Sequence, residues 1–183
     1  MNEPNLKEKY PAAFPRLDDK QLAAVAELAE CKTYGDGDVL FKAGDLEFKF
    51  HVIKSGEIEI VDRSGGEPRL MLTHQAGEFT GDVANLSGSP ANADAIARGK
   101  TEVYEICGEE LRQIISERPN LSDIILKTFI ARWQVLNEID FTGLRVIGCE
   151  CAIHSFSERA WQVRKGTTLW KAASMRTTLS AQV

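Results

Sequence analysis

Between Gly35 and Gly99 lie ten of the chain's 14 glycines, and they cut this stretch into runs too short for stable helices. The runs between them are β-prone: Val39–Phe41, Phe50–Ile53, Ile58–Val61 and Leu70–Leu72, with Ala93–Ala97 an alanine-rich fifth. Polar and apolar residues alternate strictly in Glu57-Ile-Glu-Ile60, the period of a strand with one face buried. Ser64-Gly-Gly66 marks a hairpin turn. Short strands separated by turn signals about every 8–12 residues predict a sandwich, barrel or jelly roll.

The flanks change period. Asp18–Glu30 reads as a helix, with Asp18 placed to cap the first turn and Leu22, Val25, Leu28 and Ala29 on one face. After a strand over Val103–Cys107, Glu109–Arg118 presents Leu111, Ile114 and Ile115 at helical spacing, and Pro119 ends that helix or opens the next. Leu121–Ile139 then reads as about five helical turns, apolar at Leu121, Ile124, Ile125, Phe129, Leu136 and Ile139. The expected class is mainly β with flanking helices. On the last helix, Phe129, Trp133 and Leu136 make an apolar stripe that, left exposed, would pair two copies into a homodimer. The competing reading lays that helix back across its own barrel.

A chain of 183 residues holds one domain plus an extension, and 43% hydrophobic with 27% charged residues is a globular composition. The net charge of −5 argues against a basic face for duplex nucleic acid, so no nucleic-acid partner is expected. No run of 18 apolar residues predicts a membrane span, and Met1–Lys9 lacks the apolar core of a signal peptide. The four cysteines, Cys31, Cys107, Cys149 and Cys151, are scattered, the pattern of a reducing compartment; the cytoplasm is the expected location. Residues 1–148 hold 17 Lys/Arg and 25 Asp/Glu, a net of −8, whereas residues 149–183 hold 5 and 2, a net of +3. The composition therefore breaks near Gly148, separating an expected domain, 1–148, from a tail, 149–183. Lacking a sustained apolar period, the tail reads as no domain, and a shifted reading frame would account for it. Its Cys149, Cys151 and His154 lack an evident fourth ligand, so no metal site is expected.

The most specific segment is Gly77-Glu-Phe-Thr-Gly-Asp-Val-Ala-Asn-Leu-Ser-Gly-Ser-Pro-Ala-Asn-Ala93. It couples a tight turn to a short helical turn from Gly81, whose free amides favour an anion. In order around it stand Asp36-Gly-Asp38 with Val39-Leu-Phe41, then Gly44 and Gly56 flanking Phe50-His-Val-Ile53, and finally Glu102-Val-Tyr-Glu-Ile106 ahead of two helices. This series resembles the cyclic-nucleotide-binding domain of the catabolite activator and of kinase regulatory subunits, over about residues 14–140. The resemblance implies a double-stranded β-helix jelly roll acting as a regulatory, small-molecule-sensing module with no catalysis of its own.

In that family, cassette amides and an arginine hold the cyclic phosphate, while a glutamate accepts from the ribose hydroxyl. Carried over, Gly81 matches the glycine and Asp82, one methylene shorter, stands for the glutamate. The arginine falls near Ser89-Pro-Ala91-Asn92, and no basic residue lies between Arg69 and Arg98. The candidate ligand residues are thus Gly81, Asp82, Val83, Ser89, Ala91 and Asn92. Losing a charge-assisted pair removes about 1.5–3 kcal/mol, so the expectation is weak binding of a cyclic nucleotide or another small anion, and no cofactor.

Gly77–Gly88 together with Phe141-Thr-Gly-Leu-Arg-Val-Ile-Gly148 also resembles bacterial proteins in which this sensor precedes a thioredoxin-reductase-like flavoprotein. That implies a redox-enzyme partner, with this chain as the detached regulatory part. A transcription regulator is the other alternative, although residues 149–183 offer no recognisable helix-turn-helix. Catalytic residues are not assigned. His51 and His74 form no His-x-His pair, Glu78 and Asp82 have no nucleophile or metal in sequence reach, and Ser87 and Ser89 have no His partner.

Overall fold

The computed structural model describes residues 6–138. The expected tail over 149–183, with its cysteines and His154, and the Phe141–Gly148 segment lie outside the described residues. Six strands make one antiparallel sheet: β1 (Glu30–Tyr34), β2 (Val39–Phe41), β3 (Phe50–Asp62), β4 (Arg69–Gln75), β5 (Phe79–Thr80) and β6 (Asp94–Ile106). Their order is β1-β6-β3-β4, with β2 also on β6 and β5 also on β3. Five helices accompany them: α1 (Leu6–Lys9), α2 (Asp19–Ala26), α3 (Asp82–Ser87), α4 (Gly108–Glu117) and α5 (Pro119–Glu138). A 3₁₀ turn at Pro11–Ala13 separates α1 from α2. This is a jelly roll, one of the three architectures that the glycine punctuation leaves open and the one that the family resemblance implies.

Two pairs of runs that look separate in sequence are single bent strands. Phe50–Ile53 and Ile58–Val61 are both part of β3, which turns at Gly56 with φ +84°. A Cβ at Gly56 would lie 2.5 Å from Thr101 Oγ1 and 2.7 Å from the Lys100 carbonyl oxygen, so only glycine fits. The Thr101 hydroxyl accepts from the Glu57 amide at 3.2 Å and donates to the Glu57 carbonyl at 3.0 Å, pairing backbone groups that the bend takes out of register. Ala93–Ala97 and Val103–Cys107 fall largely within the long β6.

The helix expected over Asp18–Glu30 starts as its cap directs. Asp18 and Gln21 exchange side-chain-to-backbone bonds of 2.8 and 2.9 Å. It ends early, at Ala26, because Glu30–Tyr34 is captured as β1 by pairing with Thr101–Glu105. Leu28, assigned to the buried face, is consequently exposed. Cross-strand pairing outweighs local helix propensity here.

Successive side chains of β3 supply two cores. Phe50 and Val52 join Leu17, Val25, Phe79, Ile106, Leu111, Ile114, Leu121 and Ile125 between the roll and its helices. Ile53 and Ile58 join Tyr34, Phe41, Ala91, Ala95, Ala97 and Val103 inside the roll. Each fully buried aliphatic or aromatic side chain contributes about 1.5–3 kcal/mol, so the first core is what fixes α4 and α5. The exposed stripe expected on the last helix is not formed: Phe129 is buried, and Trp133 and Leu136 are half-buried. The large hydrophobic that α5 does expose is Ile130. Among the described residues no helix is long and apolar enough to cross a membrane.

Candidate functional site

The cassette begins where β5 ends. Gly81 takes φ +87°, and a Cβ there would come within 3.0 Å of the Lys49 carbonyl oxygen and 3.3 Å of the Phe48 ring. The close approach lets the chain turn directly into α3, which Gly88, also left-handed, terminates. Asp82 opens α3 and is only 1% exposed.

Above the cassette is a cavity of about 140 Å³. Its walls are mostly apolar: Phe41, Phe48, Ile60, Met71, Leu72, Val83, Ala91, Ala93, Val135 and Leu136, with Leu6 and Phe14 contributed by the N-terminal segment. Gly81, Asp82, Val83, Ala91 and Asn92 all line it, so five of the six candidate ligand residues are brought together. Ser89 does not line it; its hydroxyl pairs with that of Ser87 at 2.7 Å.

The cavity's arginine comes from outside the cassette. Arg132, on α5, hydrogen-bonds Asp82 Oδ1 through Nη1, donates from Nε to the Ala13 carbonyl at 2.7 Å, and donates from Nη2 to the Phe79 carbonyl at 3.0 Å. Its guanidinium carbon lies 5.0 Å from the Phe79 ring centroid and 5.4 Å from that of Phe14, giving cation–π contacts to both. Burial pushes the Asp82 carboxyl up, and the Arg132 charge draws it back. The Asp82 and Val83 amides at the start of α3 also lower the carboxyl. The cassette's first turn thus carries a carboxylate already matched to a cation, in place of a free positive cradle.

Other charges near the site belong to the frame. Burial lowers His74 to about 4, so it is neutral at pH 7, and its Nδ1 lies 3.0 Å from Glu78 Oε2. Burial opposes the Glu78 charge, but bonds from His74 and Lys7 outweigh it and hold the carboxyl at about 2. Lys7 Nζ reaches Glu78 at 2.5 Å and ties α1 to the turn below the cavity. Arg69 pairs with Asp62, and Arg98 with Glu57 and Glu59; neither lines the cavity. Sequence reasoning missed Arg132 because it searched along the cassette. A lone arginine amid the apolar positions of an otherwise amphipathic helix was the available signal.

An antiparallel roll with a turn-and-helix cassette, roofed by a C-terminal helix, defines the architecture of the site. Residues 31–118 match the sequence model described as "Cyclic nucleotide-binding domain". A cAMP-dependent protein kinase regulatory subunit of Dictyostelium discoideum is 32% identical over 128 residues, covering 69% of this chain and 39% of that protein. A cyclic nucleotide-gated channel beta-3 of Canis lupus familiaris is 27% identical over 62% of this chain and 15% of its own length. The Catabolite Activator Protein of Thermus thermophilus shares the fold, with a TM-score of 0.59 and 21% identity over 70% of this chain and 62% of that one. The described residues carry a domain of the cyclic nucleotide-binding family. The narrower likeness to a domain ahead of a flavoprotein rests partly on 141–148, outside the described residues.

Proposed function

We propose that this domain is a non-catalytic regulatory sensor in which a small molecule entering the cavity changes how α5 is held. One observation carries the reading: Arg132 on α5 binds both the Asp82 side chain and the Phe79 carbonyl, so the output helix is bonded to the ligand cassette itself. A ligand biases a helix only through contacts that differ between two states, and a guanidinium at the cavity wall supplies such a contact. The regulatory names of the kinase and channel relatives support the same role. Cyclic nucleotides are the ligands those names suggest, and weak binding of them is the expectation here, because Asp82 already neutralises the arginine. Amide hydrogen exchange of α5, measured with cyclic AMP or cyclic GMP at millimolar concentration, tests the coupling. Altered exchange on α5 upon occupancy supports it; an occupied cavity with unchanged α5 exchange overturns it.

A further inference from the structure

We infer that His74 selects the cavity's ligand: its Nε2 is a hydrogen-bond acceptor, matched by a small, largely apolar molecule that carries an N–H or O–H donor. The inference rests on the sensor reading and names the ligand class of that site.

Three observations lead there. The first is direction. Across the β3–β4 ladder His74 pairs with Ile58 and Leu72 with Ile60, so these two β4 side chains lie on one face of the strand. Ile60, Leu72 and His74 all line the cavity, and the ring of Phe14, another lining residue, is 6.0 Å from that of His74.

The second is the tautomer. Glu78, held at about 2, is ionised at neutral pH and can only accept; its Oε2 also takes Lys7 Nζ at 2.5 Å and the Gln75 amide at 3.3 Å. The proton of the neutral His74 ring is therefore on Nδ1, 3.0 Å from that oxygen, and Nε2 carries the lone pair. Among the described residues nothing donates to Nε2. His51 Nδ1 is unpartnered and sealed, whereas His74 Nε2 is not sealed. In a residue 2% exposed that lines the cavity, the surface it keeps opens onto the cavity. Buried acceptors are rarely left unmatched, and a ligand donor completes this one.

The third is size. At about 140 Å³ the cavity compares with the roughly 150 Å³ engineered apolar cavity that binds benzene. Its mostly apolar walls hold the body of such a ligand by burial, and one donor then sets the orientation.

The test titrates the unmodified protein with pyrrole, which donates one hydrogen bond, and with furan, a ring of similar size without a donor. The His74 ring nitrogens are followed by long-range nitrogen–proton correlation spectra. Pyrrole is expected to bind about fivefold more tightly than furan, the worth of one net hydrogen bond, and to shift Nε2 while Nδ1 stays protonated. In His74→Phe a ring remains without the acceptor, and the preference for pyrrole should vanish. Should that variant fail to fold, the Nε2 shift in the unmodified protein decides alone. Equal binding of the two rings, no pyrrole binding, an Nε2 resonance unmoved at pyrrole saturation, or a preference that survives His74→Phe overturns the inference. Pyrrole held through His74 with α5 exchange unchanged overturns the sensor reading and leaves this inference standing. Cyclic AMP that alters α5 exchange while pyrrole leaves Nε2 unmoved does the reverse.

Discussion

Arg132 and Asp82, separated by 50 positions in the chain, form a buried ion pair at the wall of the cavity, with side chains 9% and 1% exposed. Removing one partner of such a pair leaves a charge buried without a match, a loss of about 3–5 kcal/mol. Arg132→Met should therefore lower the urea unfolding midpoint strongly. The double variant Arg132→Met, Asp82→Asn should recover much of that loss, because no lone charge remains. Additive losses in this cycle would show that the pair is not coupled.

The charge balance also sets the affinity for nucleotides. Calorimetry on the unmodified protein should give dissociation constants for cyclic AMP and cyclic GMP well above the micromolar level, which corresponds to about −8 kcal/mol. Sub-micromolar binding of either would sink the idea of a neutralised cassette.

Acid should weaken the fold in two stages. Burial lowers His51 and His74 from 6.5 to about 4, so the unfolded chain takes up protons that the folded one refuses. His51 faces Glu105, Lys49 and Lys32, and His74 faces Glu78, Arg132 and Lys7. Stability from this source is complete above pH 6.5 and declines as the pH falls towards 4, by on the order of 3 kcal/mol per histidine. Glu78 and Glu105, held at about 2, add stability present above about pH 4.5 and lost below it. Thermal melts from pH 8 to 3 should show the decline beginning near 6.5, and His74→Gln should roughly halve its first stage, leaving the His51 part.

The fold was legible where local chemistry and tertiary pairing agree. Asp18 and Gln21 announce the start of α2, Pro119 the break between α4 and α5, and Ser64-Gly-Gly66 the β3–β4 hairpin. It was not legible where pairing decides. Nothing in Glu30-Cys-Lys-Thr-Tyr34 separates strand from helix end until β6 is laid beside it. The site divides the same way. Gly81 and Asp82 lie within one motif, whereas Arg132, Phe14 and Leu136 reach the cavity only because α5 and the N-terminal segment fold over it. Contacts of that kind carry no sequence spacing.

Gly56 offers a sharp check on the roll. Gly56→Ala would place a methyl against Thr101 and the Lys100 carbonyl while holding alanine at φ +84°. A loss of about 2–4 kcal/mol is expected by denaturant unfolding. Gly66→Ala has the same backbone penalty at φ +86° but open space around it, and should cost about 1–2 kcal/mol. Equal losses would mean that the Thr101 contact is relieved elsewhere.

The pairing of β3 with β6 matches Phe50 with Ile106 and Val61 with Asp94, so the central ladder joins segments made far apart in time during synthesis. On the ribosome, β3 emerges with β4 and β5 as its only partners, and one of its edges stays open until Ile106 has cleared the exit tunnel. Closing such long loops is slow, with folding in milliseconds to seconds. During that interval the nascent chain exposes an unpaired strand rich in valine and isoleucine, which makes it a natural client for chaperones and a hazard at high expression rates.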